Sequence, residues 1–272
     1  MESSVYDELI IKTLGSSHIK EGTVYYDEIY EEALIKSLKE HGVYKNYRGE
    51  LGKNSKGTKM CSIASSSRFC FLASKTILKD IDEHEKTDLK NGCCIPHFDG
   101  YDSKHNIYYE FKCHEFCERD GSISHTKLTS MDYIPLLKNI FNVDCDDPST
   151  LKFSDLRLSI DNDPMINKIN FDFKQFLCHI IGLLSIATKE NKPTLNYVWI
   201  TPYEPDNKEL NEFISFMKKQ INDIFLKTSE LDIFTSNEKG KIKDFINFAC
   251  DIIPANNIPD FVLESIKWYV KN

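Results

Sequence analysis

The sequence predicts an α/β fold, a central mixed β-sheet flanked by helices, with helical elaborations at the N- and C-terminal ends. Three observations predict it. Strand-like and helix-like segments alternate through the second half of the chain, the order that suits a mixed sheet covered by helices. Apolar residues recur at helical spacing through residues 6–13 and 24–41, which places helices ahead of the sheet. The chain has 272 residues, of which 41% are hydrophobic, enough to enclose one sizeable core. No internal repeat and no long low-complexity linker divides it. Residues 1–59 therefore read as a helical region ending in a basic loop, 60–226 as the core and 227–272 as a C-terminal helical region, all packed as one domain.

The elements follow in order. Ile29, Ala33, Leu34 and Leu38 carry the second N-terminal helix. Residues 47–59 are rich in Gly, Lys and Asn and lack periodicity, so they read as a loop in which Lys53, Lys56 and Lys59 can track a phosphate backbone. Serines ahead of Phe69 cap a helix running toward Ile81. Ser67 and Arg68 at its start are candidates for a phosphate contact, because a helix N-terminus and a guanidinium both favour anions. Plain capping beside a surface arginine explains them equally well. Residues 144–164 read as an irregular insertion or a specificity loop, and 171–184 as a well-buried helix with Gln175, His179 and Gly182 along one face. A short apolar strand at 195–202 and a helix over 209–225 follow, and 241–253 and 259–270 look helical.

Between these lies the stretch from Cys93 to Lys112, which reads as a β-hairpin. If the turn is centred on Lys104 and His105, an antiparallel register sets Asp99 directly opposite Glu110, with Cβ atoms about 5 Å apart. Alternation puts Glu110 and Lys112 on one face, with His114 following them, and Tyr109, Phe111 and Cys113 on the other. Asp102 falls on the opposite face from Asp99, and a one-residue slip would exchange the two. Converging carboxylates repel each other and are costly to desolvate, so the arrangement makes chemical sense around a hard cation with oxygen ligands, magnesium above all. Lys112 would orient or help deprotonate a water there. His114 is a candidate for a phosphate contact, or a strand-end histidine held structurally.

Asp99, ten intervening residues and Glu110-Phe111-Lys112 resemble the signature of the PD-(D/E)XK, or restriction-endonuclease-like, nuclease superfamily, closest in character to type II restriction endonucleases. The family's proline is displaced: Pro96 stands three residues before Asp99. The resemblance implies a restriction-endonuclease-like core in which Asp99, Glu110 and the Phe111 carbonyl bind Mg2+, with Mn2+ as a substitute, while Lys112 assists the nucleophile. It implies that Gln175, on the helix after the catalytic strands, approaches the site, with His179 one turn on as a candidate phosphate contact. A further acid, which some members use, would come from Glu32, Glu50, Glu83 or Glu85.

The expected function is therefore a magnesium-dependent endonuclease on double-stranded DNA, of type II restriction kind; because enzymes of that kind often dimerise to cut both strands, a homodimer and a companion DNA methyltransferase are candidate partners that the sequence itself leaves open. Structure-specific repair or junction cleavage is the alternative enzyme, and a non-catalytic nucleic-acid-binding protein of the same fold the alternative outside enzymes. With 34 Lys and Arg against 42 Asp and Glu, the net charge of −8 argues against a binder that relies on a broad basic field. Nine cysteines are an odd number, and Cys70, Cys178 and Cys250 sit in apolar runs, so buried reduced thiols are expected. Cys93, Cys94, Cys113 and Cys117 with His97 and His114 contain no Cys-x2-Cys pair, which speaks against zinc. No apolar run reaches membrane-spanning length and Met1-Glu2-Ser3-Ser4 opens no signal peptide, so a soluble cytoplasmic protein is expected.

Overall fold

The computed structural model describes residues 3–54, 57–89, 95–114, 173–234 and 239–271. Two helices open the chain, α1 (Ser3–Leu14) and α2 (Glu28–Glu40). Asp27 caps α2 by accepting a hydrogen bond from the Tyr30 N–H at 2.9 Å, and Glu28 and Glu31 sit in the first turn, where the helix dipole favours negative charge. Tyr30, Leu34, Ser37 and Leu38 form its buried stripe. A one-turn 3₁₀ helix at Asn46–Arg48, a two-residue ladder of β1 (Lys53–Asn54) with β2 (Gly57–Thr58), and a second 3₁₀ turn at Lys59–Cys61 lead to α3 (Ser66–Thr76). Residues 47–59 are thus partly structured rather than a plain loop: Tyr47 is fully buried and anchors the turn that the Gly- and Asn-rich pattern concealed.

α3 is capped by Ser65 and buries every residue from Ser67 to Ser74. It stops at Thr76, short of the expected Ile81. The main sheet follows, with β3 (Glu83–Lys86), β4 (Phe98–Asp102), β5 (Ile107–Lys112) and β6 (Thr194–Thr201). Helix α4 (Phe173–Leu184) precedes β6, and α5 (Lys208–Ser229) follows it. A small ladder of β7 (Asp232–Phe234) with β8 (Lys239–Lys241) leads to β9 (Asn247–Pro254) and the closing helix α6 (Phe261–Lys271).

The five-stranded sheet has the order β3-β4-β5-β6-β9. β3, β4 and β5 run antiparallel, whereas β5, β6 and β9 are parallel, so the sheet is mixed as expected. β6 is an interior strand, and its residues from Leu195 to Thr201 are all buried, the near-continuous apolar run of a strand covered on both faces. The segment 241–253, expected to be helical, contributes β9 instead. Phe248, Cys250 and Ile252 alternate with Ala249 and Asp251, and pairing with β6 from Asn247 to Pro254 supplies a backbone partner that no sequence window reveals. Cys93, Cys94, Cys117, Lys56 and the 144–164 insertion lie outside the described residues. No helix among the described residues is long and apolar enough to cross a membrane.

One residue expected at a phosphate is taken up by the fold. Arg68 is fully buried, and its guanidinium donates to the Ile63 carbonyl at 2.6 Å and to Asp260 at 3.2 Å. Tyr30 donates to the same Asp260 oxygen at 3.0 Å, and the guanidinium lies 5.0 Å from the Tyr26 ring centroid and 4.6 Å from that of Phe69. The arginine thereby ties α3 to α2 and to the start of α6. Arg68→Ala leaves a buried carboxylate without its cation, a change that costs about 3–5 kcal/mol. Urea unfolding should show a loss of that size with little change in m; a surface arginine would give almost none.

Candidate active site

The β4–β5 hairpin is bonded from Gly100↔Tyr109 through Tyr101↔Tyr108 to Asp102↔Ile107. This is the register that a turn at Lys104 and His105 requires, and one step further it sets Asp99 against Glu110. Asp102 is committed to the turn: it accepts from the His105 N–H at 3.0 Å, and its other oxygen lies 2.6 Å from His105 Nδ1. Asp99 Oδ2 accepts from the Phe111 N–H at 2.7 Å, so the carboxylate takes over backbone pairing where the ladder ends.

Glu110 and Lys112 are 3% and 8% exposed, which makes their partners decisive. Lys112 Nζ lies 2.7 Å from Glu110 Oε1. Gln175, reaching in from α4, donates through Nε2 to the same carboxylate oxygen at 2.7 Å and accepts from Lys112 Nζ through Oε1 at 2.6 Å. A neutral amide suits this place because it offers a donor to the carboxylate and an acceptor to the ammonium from one rigid plane. His179, one turn further on, is fully buried, with Nε2 3.6 Å from Glu110 Oε2. It has no exposed surface to offer DNA, so its expected role as a phosphate contact is corrected.

Among the four candidates for a further acid, the sheet favours Glu85. The β3–β4 register of Glu83↔Tyr101, His84↔Gly100 and Lys86↔Phe98 brackets Glu85 against Asp99, making Glu85, Asp99 and Glu110 a row across three adjacent strands. Glu85 has φ +51°, a left-handed conformation uncommon for glutamate, which turns it out of regular strand geometry. The nearby Ser67 hydroxyl favours the charged form of its carboxylate, while Oε1 is buried with no hydrogen-bond partner among the described residues. Burial, and then Glu50, push the Glu85 pKa up to about 7. Burial also holds Asp99 well above the usual carboxylate range, with Glu110 and Glu85 adding to it against the opposing Phe111 N–H and Lys112. Glu85 and Glu50 line a cleft of about 540 Å³ with Lys45, Asn46, Gly49, Thr87 and His97.

The remaining candidates sit apart from the carboxylates or in other roles. Ser67 is buried, so it offers no open phosphate site. β5 ends at Lys112, so strand alternation no longer governs His114, whose ring lies 6.2 Å from that of Tyr6 on α1. Glu83 is exposed and paired with Lys86 at 2.7 Å, Glu32 is exposed on α2, and Lys53 pairs with Glu31 at 3.4 Å. Among the described residues, the one group of three His, Cys, Asp or Glu whose ligand atoms all lie within 4.8 Å of one another is Asp80, Asp102 and His105. The turn bonds above account for Asp102 and His105, and Asp80 faces Lys104 Nζ at 3.8 Å. The residues that sequence reasoning left unresolved, Glu50 and Glu85, carry no local motif; only pairing of β3 with β4 singles out Glu85.

No protein-family model, curated protein or solved structure matches the chain.

The proton on Glu85 gives a test. A carboxyl whose pKa rises from 4.5 to about 7 on folding contributes stability that is full below about pH 4.5 and is lost as pH climbs through about 7. Thermal unfolding in chelator should therefore show stability falling between pH 5 and pH 8, with a shallower fall in Glu85→Gln. Identical pH profiles for the two proteins would show that Glu85 is not held protonated.

Proposed function

We propose that the chain is a magnesium-dependent endonuclease that hydrolyses phosphodiester bonds in double-stranded DNA, with Asp99, Glu110 and Lys112 at its centre. The observation that carries the reading is the joining of Glu110, Lys112 and Gln175 into one buried hydrogen-bonded unit beside Asp99. An exposed Glu-x-Lys pair on a strand would need no glutamine bridging it from a helix. The type II restriction character, the duplex substrate and the restriction-endonuclease-like core rest on the resemblance of residues 99–112 to that superfamily.

The donor set fits a hard divalent cation. All the anionic donors are oxygens, Glu85 Oε1 is buried without a hydrogen-bond partner among the described residues, and Asp99 resists ionisation because it is buried, with two carboxylates adding to the effect. Asp99, Glu110 and the Phe111 carbonyl would hold the ion. When bound, magnesium supplies positive charge to the phosphate oxygens and acidifies a coordinated water. Lys112, fixed by Glu110 and Gln175, directs an N–H toward the attacking water or the phosphate without having to reorganise. Gln175 adds a directional hydrogen bond to each member of the Glu110–Lys112 ion pair. The low exposure of Glu110 and Lys112 keeps bulk water from screening these charges.

Digestion of long duplex DNA with Mg2+ is the direct test, and discrete fragments are the expected result. Cleavage of branched junctions alone would move the reading to structure-specific repair, and binding without cleavage would move it to a non-catalytic protein. Asp99→Ala, Glu110→Ala and Lys112→Ala should each lose activity about 100- to 1,000-fold with the circular dichroism spectrum unchanged. Full activity in Asp99→Ala would overturn the assignment. Calcium, with looser coordination, should support DNA binding but not turnover.

A further inference from the structure

α4 meets the segment leading into Asp99 at three successive points. A Cβ built on Gly182 would lie 2.4 Å from Pro96 Cγ, so the helix backbone seats directly on the proline ring and only glycine permits it. His179 Nε2 lies 2.8 Å from the His97 carbonyl, and its ring stacks on Phe98 with centroids 4.5 Å apart. A carbonyl only accepts, so Nε2 carries the proton. Nδ1 faces the Tyr197 hydroxyl at 3.4 Å, and Tyr197 is the residue paired with Glu110 across β5 and β6. The same Nε2 points within 3.6 Å of Glu110 Oε2.

We propose that His179 is a positioning residue that fixes the His97 backbone and the Glu110 carboxylate relative to each other, and so sets the spacing between Asp99 and Glu110. The two carboxylates stand on different strands where the β4–β5 ladder has ended, so Asp99 is tied to β5 through its own carboxylate and the Phe111 N–H rather than through ladder pairing. One imidazole with an N–H between a carbonyl two residues before Asp99 and an oxygen of Glu110 adds a second constraint, on the Glu110 carboxylate itself. Gly182 on Pro96 holds the far side of the same segment, which gives the displaced proline a structural purpose. His97 also lines the cleft, so the backbone that His179 grips belongs to the wall a substrate would meet.

The inference rests on the nuclease reading, and its test separates the two. Mn2+ binding is titrated calorimetrically on the full chain, together with Mg2+-dependent cleavage and thermal unfolding. His179→Leu should weaken Mn2+ binding about 10- to 100-fold, the usual effect of removing a group that orients a metal ligand, and lower turnover at saturating metal with little change in KM. His179→Gln, which keeps an N–H near the Nε2 position, should recover most of the Mn2+ affinity. Wild-type Mn2+ affinity and turnover per folded molecule in His179→Leu, with only a lower melting temperature, would overturn the positioning role and leave the nuclease reading intact. If His179→Leu does not fold, equal Mn2+ affinity in His179→Gln and His179→Asn, whose shorter amide cannot reach, overturns it as well. Wild-type protein that binds Mn2+ through Glu110 but cuts no DNA overturns the nuclease reading alone; wild-type protein that binds no Mn2+ overturns both.

Discussion

Burying like charges together is the constraint on which the rest of this structure turns. Glu85, Asp99 and Glu110 occupy adjacent strands at one level of the sheet, and the fold encloses them with the Lys112 ammonium against Glu110. Near a protein surface two unit charges 4 Å apart interact with about 4 kcal/mol, so three carboxylates cannot all ionise there unaided. The structure's answer is visible in each acid. Glu110 is given a cation and an amide, Asp99 a backbone N–H, and Glu85 a pKa pushed by burial to about 7.

Gln175 and Lys112 make Glu110 the ordered member of the row. An ammonium alone would leave the carboxylate free to pivot about one contact. The amide plane adds a second, directional contact and returns its carbonyl to the ammonium, so three side chains from a strand and a helix form a closed ring of hydrogen bonds. α4 can deliver it because Gln175, His179 and Gly182 recur at helical spacing on one face, and because Gly182 lets the helix come close enough to Pro96. The site is thus supported from rigid elements.

The periphery is held by a separate charged device. Arg68 links α3, α2 and α6 through Asp260 and Tyr30, and two aromatic rings cover its guanidinium. α3 also carries Ser67, whose hydroxyl lies near Glu85, so the pair that closes the helical layer steadies the helix beside the acids. Tyr47 does similar work on the other side, where its hydroxyl meets His84 Nδ1 at 2.7 Å and joins the turn beneath the cleft to β3.

The hairpin was legible in the sequence because its determinants are local. A turn at Lys104 and His105 and period-two alternation suffice to oppose Asp99 and Glu110 and to group Glu110 with Lys112. Helices α2, α5 and α6 were legible for the same reason, from caps and apolar spacing within one window. Tertiary structure alone decided the rest. It made Arg68 a buried tie rather than an anion contact, because Asp260 arrives from the far end of the chain. It turned residues 247–254 into a strand, because the fully buried β6 offers an edge that their own pattern does not announce. It distinguished Glu85 from Glu32, Glu50 and Glu83, because only the pairing of β3 with β4 brings that side chain level with Asp99. Local spacing fixes which residues on one element share a face; which elements meet depends on pairings between distant residues, and those pairings form only in the folded chain.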